Sequence, residues 1–303
     1  MCSLEITPRK LIHRHFIMGN DSRRSMYESS RRALMRGTVA THERLAHEYS
    51  DKAGFEIPRE RGFVSMAPGT FAEIDGVVED VRRRIAGYSE DELMGPKKSQ
   101  LRNRLLPGKE LTLDSPYLRF ALREDVLAAI GNYLGAAPLL SDVDVWYSLH
   151  RGGELANSQL HHCDWDAVTQ MKIFVYANDV DQSTGPLTLI DAENSRRLRE
   201  KLGYVYGYAN IKKLSDEQIG KVMGEATEYS MTGDAGTSIF ADTSSCFHYG
   251  SRSEKPRLMA FFQYFAPTAF KLSKRYAKNL PFRHLAGESS LSPLQRLALN
   301  GTS

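Results

Sequence analysis

The stretch HHCDWDAVTQMKIFVYANDV, residues 161–180, joins a cluster of potential metal ligands to an apolar run that is typical of a β-strand. Other β-rich runs, bounded by Gly, Pro, Asp and Asn, occur at residues 139–149, 185–190, 227–242 and 257–267. Many short strands therefore follow a helical first part of the chain. This order predicts a mainly β protein with helical additions, built as a two-sheet jelly roll with helices packed on one side.

Side chains alternate between the two faces of a strand, which divides the apolar run into two sets. One face receives Lys172, Phe174 and Tyr176, and the other receives Met171, Ile173 and Val175. A charged lysine between apolar neighbours could face an internal cavity or could lie on the outer surface of the sheet.

Helical segments are predicted before and between the strands. Apolar residues recur at three- and four-residue steps from Ile74 to Ile85, which indicates an amphipathic helix. Ser115 and Pro116 are typical of a helix start, and that helix should continue to about Gly135. We expect residues 1–60 to form a helical N-terminal extension. Residues 61–303 should form the main domain, with a helical insertion near 193–228.

Composition limits the classes of function. The chain has 303 residues, 41% hydrophobic and 25% charged, which is ordinary for a soluble globular protein. A net charge of +3 is too small to indicate binding to nucleic acid or to an anionic membrane. No apolar run approaches the roughly 20 residues that cross a bilayer, and the N-terminus lacks the features of a secretory signal. Three cysteines do not suggest a disulfide framework, so we predict a cytoplasmic protein. The N-terminal helices could cover the main domain or mediate a homo-oligomer.

His162 and Asp164 are the strongest candidates for metal ligands. Because His162 and Asp164 are two residues apart on an extended segment, their side chains point to the same side. The side chains of His161 and Cys163 point away from it. With His248 as a third ligand they would form the two-histidine, one-carboxylate face of a non-haem Fe(II) oxygenase, which leaves the opposite face open. The alternatives are a solvated pair or capped turn for the first two residues, and a polar-loop histidine for His248.

Arg257 opens the apolar strand that follows His248. A guanidinium at this position suits a planar, bidentate partner such as the carboxylate of a ligand. An ordinary salt bridge to an acidic residue is the alternative.

Three motifs in order, HCD, KIFVYANDVDQSTGPLTLI and FHYGSRSEKPR, resemble the phytanoyl-CoA dioxygenase family over roughly residues 60–268. The resemblance implies a double-stranded β-helix that uses Fe(II) and 2-oxoglutarate. It implies His162, Asp164 and His248 as iron ligands, and Arg257 as the partner of the 2-oxoglutarate C5 carboxylate. Many members carry a Lys-Pro-Gly-like turn where this chain has residues 150–153, so Arg151 or Lys172 could take the place of that lysine.

The predicted reaction is the hydroxylation of an unactivated C–H bond of a small molecule by O2, with release of succinate and CO2. The carboxylate of Asp164 argues against halogenation, because related halogenating enzymes lack it. Desaturation, cyclisation or epimerisation with the same cofactors remain alternatives, as does a non-catalytic jelly-roll binding protein. Substrate contacts are predicted for residues that flank the metal motifs, although aromatic residues of this kind also serve as core: Trp146, Tyr147, Gln159, Trp165, Asp166 and Arg252.

Overall fold

A computed structural model describes residues 13–94, 101–102, 105–106, 111–150, 152–206, 213–270 and 280–300. The α-helices are α1 (Asp21–Leu34), α2 (Arg36–Glu48), α3 (Glu73–Ala86), α4 (Glu90–Met94), α5 (Pro116–Ala121), α6 (Glu124–Leu134), α7 (Ala192–Leu202), α8 (Asp216–Met223) and α9 (Pro293–Asn300). The strands are β1 (Phe63–Met66), β2 (Leu101–Arg102), β3 (Leu139–Ser148), β4 (Gln170–Tyr176), β5 (Leu187–Ile190), β6 (Glu228–Met231), β7 (Ser238–Ala241), β8 (His248–Tyr249) and β9 (Arg257–Phe265).

The strands form two antiparallel sheets. The larger sheet has the order β1-β7-β4-β9-β3-β2, and the smaller has the order β6-β5-β8. Central strand β4 pairs with β7 on one side and with β9 on the other. Chain segments that are distant in sequence therefore lie next to one another across both sheets.

The central strands of the larger sheet, β4 and β9, are buried on both faces. Met171, Ile173 and Val175 of β4 point into a core that they share with helices α3, α5 and α6. Phe174 and Tyr176 point the other way, into a second core formed with the smaller sheet. The predicted division of this strand into two faces is confirmed. Apolar side chains on both faces also explain why β4 and β9 have nearly continuous apolar sequences.

The prediction of a mainly β protein was wrong in its proportions, because helical residues outnumber strand residues in the described part of the chain. The helix predicted from Ser115 to Gly135 is in fact two helices. Ser115 caps α5 by accepting a hydrogen bond from the amide of Leu118, and Gly135 ends α6 in the left-handed conformation. Between them Arg123 has an extended backbone, and Glu73 and Asp125 bind its guanidinium, which fixes the break.

Helices α1 and α2 pack against the rest of the molecule. Val39, Leu45 and Ala46 of α2 are buried, and the His42 ring hydrogen-bonds to the carbonyl of Ala137 just before β3. Helices α7 and α8 lie between β5 and β6, within the range of the predicted insertion. Among the helices that the structure describes, none is long and apolar enough to span a membrane.

Candidate functional site

A backbone bridge brings the two histidines together. The amide of His162 donates to the carbonyl of His248 at 3.1 Å, and the amide of His248 donates back at 2.9 Å. Their ring centroids lie 4.2 Å apart. The amide of Asp164 donates to Thr243 O at 2.8 Å, which ties the carboxylate residue to the same segment. One potential ligand atom from each of His162, Asp164 and His248 lies within 4.8 Å of the other two.

Each imidazole of this cluster presents its Nε2 atom to the centre. Nδ1 of His162 donates to Leu160 O at 2.8 Å, and Nδ1 of His248 donates to Cys246 O at 3.1 Å. A carbonyl can only accept, so Nδ1 carries the proton and Nε2 keeps its lone pair. Burial lowers the pKa of His162 to about 3, and burial also lowers the pKa of His248. Both rings are neutral at pH 7, which is the form that binds a metal.

Asp164 is ionised and held by two donors. Lys172 Nζ lies 2.6 Å from Oδ2, and Gln170 Nε2 donates to the same oxygen at 3.2 Å. Burial alone would raise the pKa of Asp164, but the Lys172 ammonium outweighs burial and holds it well below its ordinary value. Both carboxylate oxygens lie near the rings: Oδ1 is 3.8 Å from His162 Nε2, and Oδ2 is 3.9 Å from His248 Nε2.

Arg257 is a buried cation near this cluster, only 3% exposed. Its guanidinium donates to Gly185 O and, at 3.0 Å, to Ser251 Oγ. Its Nε has no hydrogen-bond partner in the described residues, and none of the ion pairs found there involves it. Burial lowers the pKa of Arg257. A buried guanidinium with a free donor and no carboxylate partner is suited to an anionic ligand.

One cavity connects the metal-ligand cluster with Arg257. Its volume is about 180 Å³. The indole Nε1 of Trp146, which is stacked on Phe261, is a second buried donor without a partner in the described residues. The cavity is lined by Trp146, Ser158, His162, Asp164, Lys172, Phe174, Leu187, His248, Gly250, Ser251, Arg257 and Met259.

A larger cavity of about 560 Å³ lies elsewhere, between α2 and α9. Three arginines contribute to its lining, Arg44, Arg283 and Arg296, but no histidine does. Arg44 is paired with Glu48, and Arg296 donates to backbone carbonyls.

Some of the residues predicted to bind cofactor or substrate line this cavity, and others do not. Lys172 and Trp146 line the cavity, whereas Arg151 lies outside the described residues. Tyr147 follows Trp146 on β3, so it points to the opposite face and is buried in the helix-covered core. This position gives no support to its predicted substrate contact.

The remaining predicted substrate residues also have other partners. Gln159 is buried and donates to Ser251 O at 2.8 Å, so it supports the wall behind Arg257. Arg252 pairs with Asp216 and lies over the Tyr249 ring at 3.5 Å. Trp165 and Asp166 follow Asp164 but do not line the cavity, and Trp165 packs into neighbouring apolar clusters. The substrate contacts predicted for these four residues find no support in their positions.

Sequence reasoning missed several residues of the cavity wall, among them Ser158, Gly250 and Ser251. It also missed Gly185, which lies behind the wall, supplies a carbonyl to Arg257 and has a positive φ of 66°. A Cβ at Gly185 would lie 2.7 Å from the amide nitrogen of Ser253, so glycine is required there for two reasons. The Gly-Pro pair at 185–186 was visible as a turn, but nothing in the sequence linked this turn to Arg257.

Comparisons with known proteins find remote similarity only. No protein-family model matches the chain, and no curated protein matches it. The chain is similar to the epimerase SnoN in complex with Fe3+, alpha ketoglutarate and nogalamycin RO (15% identity over 77% of this chain and 89% of that chain, TM-score 0.49). It is also similar to EctD from S. alaskensis with 2-oxoglutarate and 5-hydroxyectoine (17% identity, 69% and 73% coverage, TM-score 0.49). A third similar structure is HygX from Streptomyces hygroscopicus with nickel, 2-oxoglutarate and hygromycin B bound (18% identity, 68% and 83% coverage, TM-score 0.43). At this level of similarity, the function has to be inferred from the chain's own residues.

Proposed function

We propose that this chain is an Fe(II)/2-oxoglutarate-dependent oxygenase with a double-stranded β-helix (jelly-roll) core. In this proposal it hydroxylates an unactivated C–H bond of a small molecule and releases succinate and CO2. One observation carries the proposal: a two-histidine, one-carboxylate cluster and a buried arginine without a carboxylate partner line the same small cavity.

The donor set fits ferrous iron. Two neutral imidazoles and one carboxylate form a mixed nitrogen and oxygen set, whereas a thiolate-rich set would favour zinc or iron–sulfur clusters. The cysteine between two of the ligands, Cys163, is buried on the opposite side, and burial raises its pKa to about 12. His162 and His248 are held by backbone carbonyls, which is the usual way that metal-binding histidines are oriented. His162, Asp164 and His248 would hold the metal on one face.

The rest of the cavity fits a small dicarboxylate. Arg257 Nε and Trp146 Nε1 are buried donors without partners in the described residues, and an unpaired buried donor costs about 1–3 kcal/mol. A ligand carboxylate would satisfy them. Typical small-molecule sites measure about 300–1,000 Å³, so a cavity of about 180 Å³ is suited to a compact cosubstrate more than to cosubstrate and substrate together. We infer that the substrate binds at the mouth of the cavity.

When bound, the iron and 2-oxoglutarate supply the activation of O2, and one oxygen atom enters succinate while the other enters the substrate. The protein's own residues bind and orient these partners. His162 and His248 offer their Nε2 lone pairs, and Lys172 binds Oδ2 of Asp164 and fixes the orientation of this carboxylate beside the two rings. Phe174, Leu187 and Met259 form the apolar part of the wall and exclude water. As a metal ligand, Asp164 would occupy the position that a halide needs, which argues against halogenation.

Anaerobic titration of the purified protein with Fe(II) and then 2-oxoglutarate tests the proposal directly. We expect one Fe(II) per chain and a visible charge-transfer absorption band when the 2-oxo acid chelates the iron. After O2 is admitted, succinate should form in the wild type but not in Asp164→Ala. A matched control is Asp234→Ala, an exposed aspartate of the turn before β7, which should behave like the wild type. Absence of both the band and succinate in the wild type would contradict the proposal.

The reaction outcome is read from the substrate in a second experiment. A mass gain of one oxygen atom in a turned-over small molecule supports hydroxylation, whereas a loss of two hydrogen atoms indicates desaturation or ring closure. An unchanged mass with inverted stereochemistry indicates epimerisation. We also propose a reducing, cytoplasmic location, because Cys163 and Cys246 are buried free thiols.

A further inference from the structure

The two segments that carry the metal ligands are short and lie outside long strands. His162 forms an isolated bridge with His248, and residues 163–169 have no regular helix or strand. The turn at residues 242–247 precedes His248 and has no regular structure either. A metal site needs its ligands held within about 0.5 Å of the productive geometry. Backbone bonds between these segments supply part of this rigidity, and side chains from other parts of the chain can add to it.

Arg24 of helix α1 reaches the segment that follows Asp164. Its side chain is only 1% exposed, and it donates to Trp165 O at 3.3 Å and to Ala167 O. The guanidinium lies 3.6 Å from the ring centroid of Tyr206. All of its hydrogen-bond acceptors are backbone carbonyls, the third being Ile17 O.

Arg199 of helix α7 reaches both ligand-bearing segments. One of its terminal nitrogens contacts Cys163 Sγ at 3.7 Å and donates to Ser245 O. Cys163 stands between His162 and Asp164, and Ser245 belongs to the turn that leads to His248. Arg199 Nε also donates to Asp21 at 2.8 Å, which links this guanidinium to the start of helix α1.

These contacts are poorly explained by fold stability alone. Burial of a guanidinium is costly, and replacement of buried charged groups by apolar side chains of similar size is often neutral or stabilising. The planar guanidinium, however, directs several donors at fixed angles, which an apolar side chain cannot do. Both arginines use these donors on carbonyl oxygens within three residues of a metal ligand.

We propose that Arg24 and Arg199 are positioning residues of the metal site. They fix the His162–Asp164 segment relative to the turn before His248, so that the three ligand atoms converge on one ion. The inference rests on the proposed function and goes beyond it, since it makes the N-terminal helix α1 and the inserted helix α7 parts of the site. Substitution of residues that orient metal ligands typically weakens metal affinity about 10–100-fold.

Cobalt(II) titration of the full-length protein tests this role, because its visible spectrum reports both affinity and coordination geometry. We expect Arg199→Met and Arg24→Met to raise the Co(II) Kd about 10–100-fold. At saturating Co(II) the spectra of both variants should differ in shape from that of the wild type. The matched control is Arg196→Met on the same helix α7, where an exposed arginine pairs with Glu200. Its affinity and spectrum should equal those of the wild type.

A merely structural role predicts a different result. The variants would then unfold at lower urea concentration, but the folded fraction would bind Co(II) with the wild-type Kd and spectrum, and this result would overturn the inference. If the methionine variants do not fold, Asp21→Asn takes their place, since Asp21 is partly exposed and its loss leaves both arginines present. We expect about tenfold weaker binding in that variant, and an unchanged Kd would overturn the inference. Failure of the wild type itself to bind Co(II) would instead overturn the proposed function.

Discussion

The substitution Arg257→Met should change the affinity for the cosubstrate strongly and the stability of the fold only slightly. This substitution removes two contributions to the free energy of unfolding that have opposite signs. The hydrogen bonds to Gly185 O and Ser251 Oγ disappear, which leaves a buried carbonyl and a hydroxyl without this donor. A buried charge without a carboxylate partner in the described residues disappears as well. Because both changes amount to a few kcal/mol, we expect the free energy of unfolding to change by only about 1–2 kcal/mol.

The same substitution should have a large effect on cosubstrate binding. Removing one partner of a buried, hydrogen-bonded charge pair costs about 2–5 kcal/mol, which corresponds to a rise in Kd of about 30–5,000-fold. Anaerobic calorimetry with the Fe(II) protein measures this change for 2-oxoglutarate. The companion ligand is 2-oxobutanoate, which has the same chelating end but no second carboxylate. In the wild type 2-oxoglutarate should bind more tightly, and in Arg257→Met the two ligands should bind alike.

The control for this prediction is Arg123→Met. Arg123 is a half-buried arginine that Glu73 and Asp125 neutralise, at the break between α5 and α6. Its loss should lower the free energy of unfolding by about 1–2 kcal/mol and leave both ligand affinities unchanged. If Arg257→Met keeps the wild-type preference for 2-oxoglutarate, the assignment of Arg257 as the carboxylate partner is refuted.

Three further changes have defined outcomes. Asp164→Ala should abolish stoichiometric Fe(II) binding while the folded far-UV spectrum persists, and metal analysis after desalting measures this loss. Gly185→Ala should cost about 1–3 kcal/mol in urea unfolding and also weaken 2-oxoglutarate binding, because the new Cβ meets a neighbouring backbone and displaces a carbonyl that Arg257 uses. Burial would raise the pKa of Asp80, but its bonds to Arg84 and Arg83 hold it below the ordinary value. Because the pKa of Asp80 is lower in the folded chain than in the unfolded chain, its ionised carboxylate stabilises the fold at pH values above the unfolded pKa of about 4. This stabilisation is lost as the pH falls further, through the folded-state pKa. Asp80→Asn should therefore destabilise by about 2 kcal/mol at pH 7, and the difference from the wild type should shrink below pH 4. A difference that is constant with pH would contradict the ionic origin.

Strand periodicity predicted the parts of the site that depend on local geometry. Alternation along a strand separates His162 from His161 and assigns Lys172 to the same face as Phe174, and the folded chain has both arrangements. The same rule could not decide which of Trp146 and Tyr147 faces the cavity, because a period of two fixes relative orientation only. The register of β3 against β9, which sets Trp146 opposite Met259, depends on residues more than a hundred positions away.

Contacts between distant segments were beyond the reach of the sequence. Arg252 stands close to His248 in sequence, which made it a candidate for substrate binding. In the folded chain it is neutralised by Asp216 at the start of helix α8. Arg24 and Arg199 gave no signal at all, since an arginine in a polar helix is normally solvated. Only the tertiary packing of α1 and α7 against the ligand-bearing segments turns these two surface-like residues into buried ones.

The charges that line the cavity indicate an order in which its ligands bind. The described lining contains one carboxylate, Asp164, and two cations, Lys172 and Arg257. Before a metal binds, Lys172 neutralises Asp164, so only Arg257 remains to attract an anion. A divalent ion at the His162–Asp164–His248 cluster adds two positive charges in a site where water is largely excluded and electrostatic interactions are strong. The excess of positive charge then equals about three, and a chelating dicarboxylate removes two of these charges while its far end satisfies Arg257. Metal binding would therefore create most of the attraction for the cosubstrate, so we expect the metal to bind first.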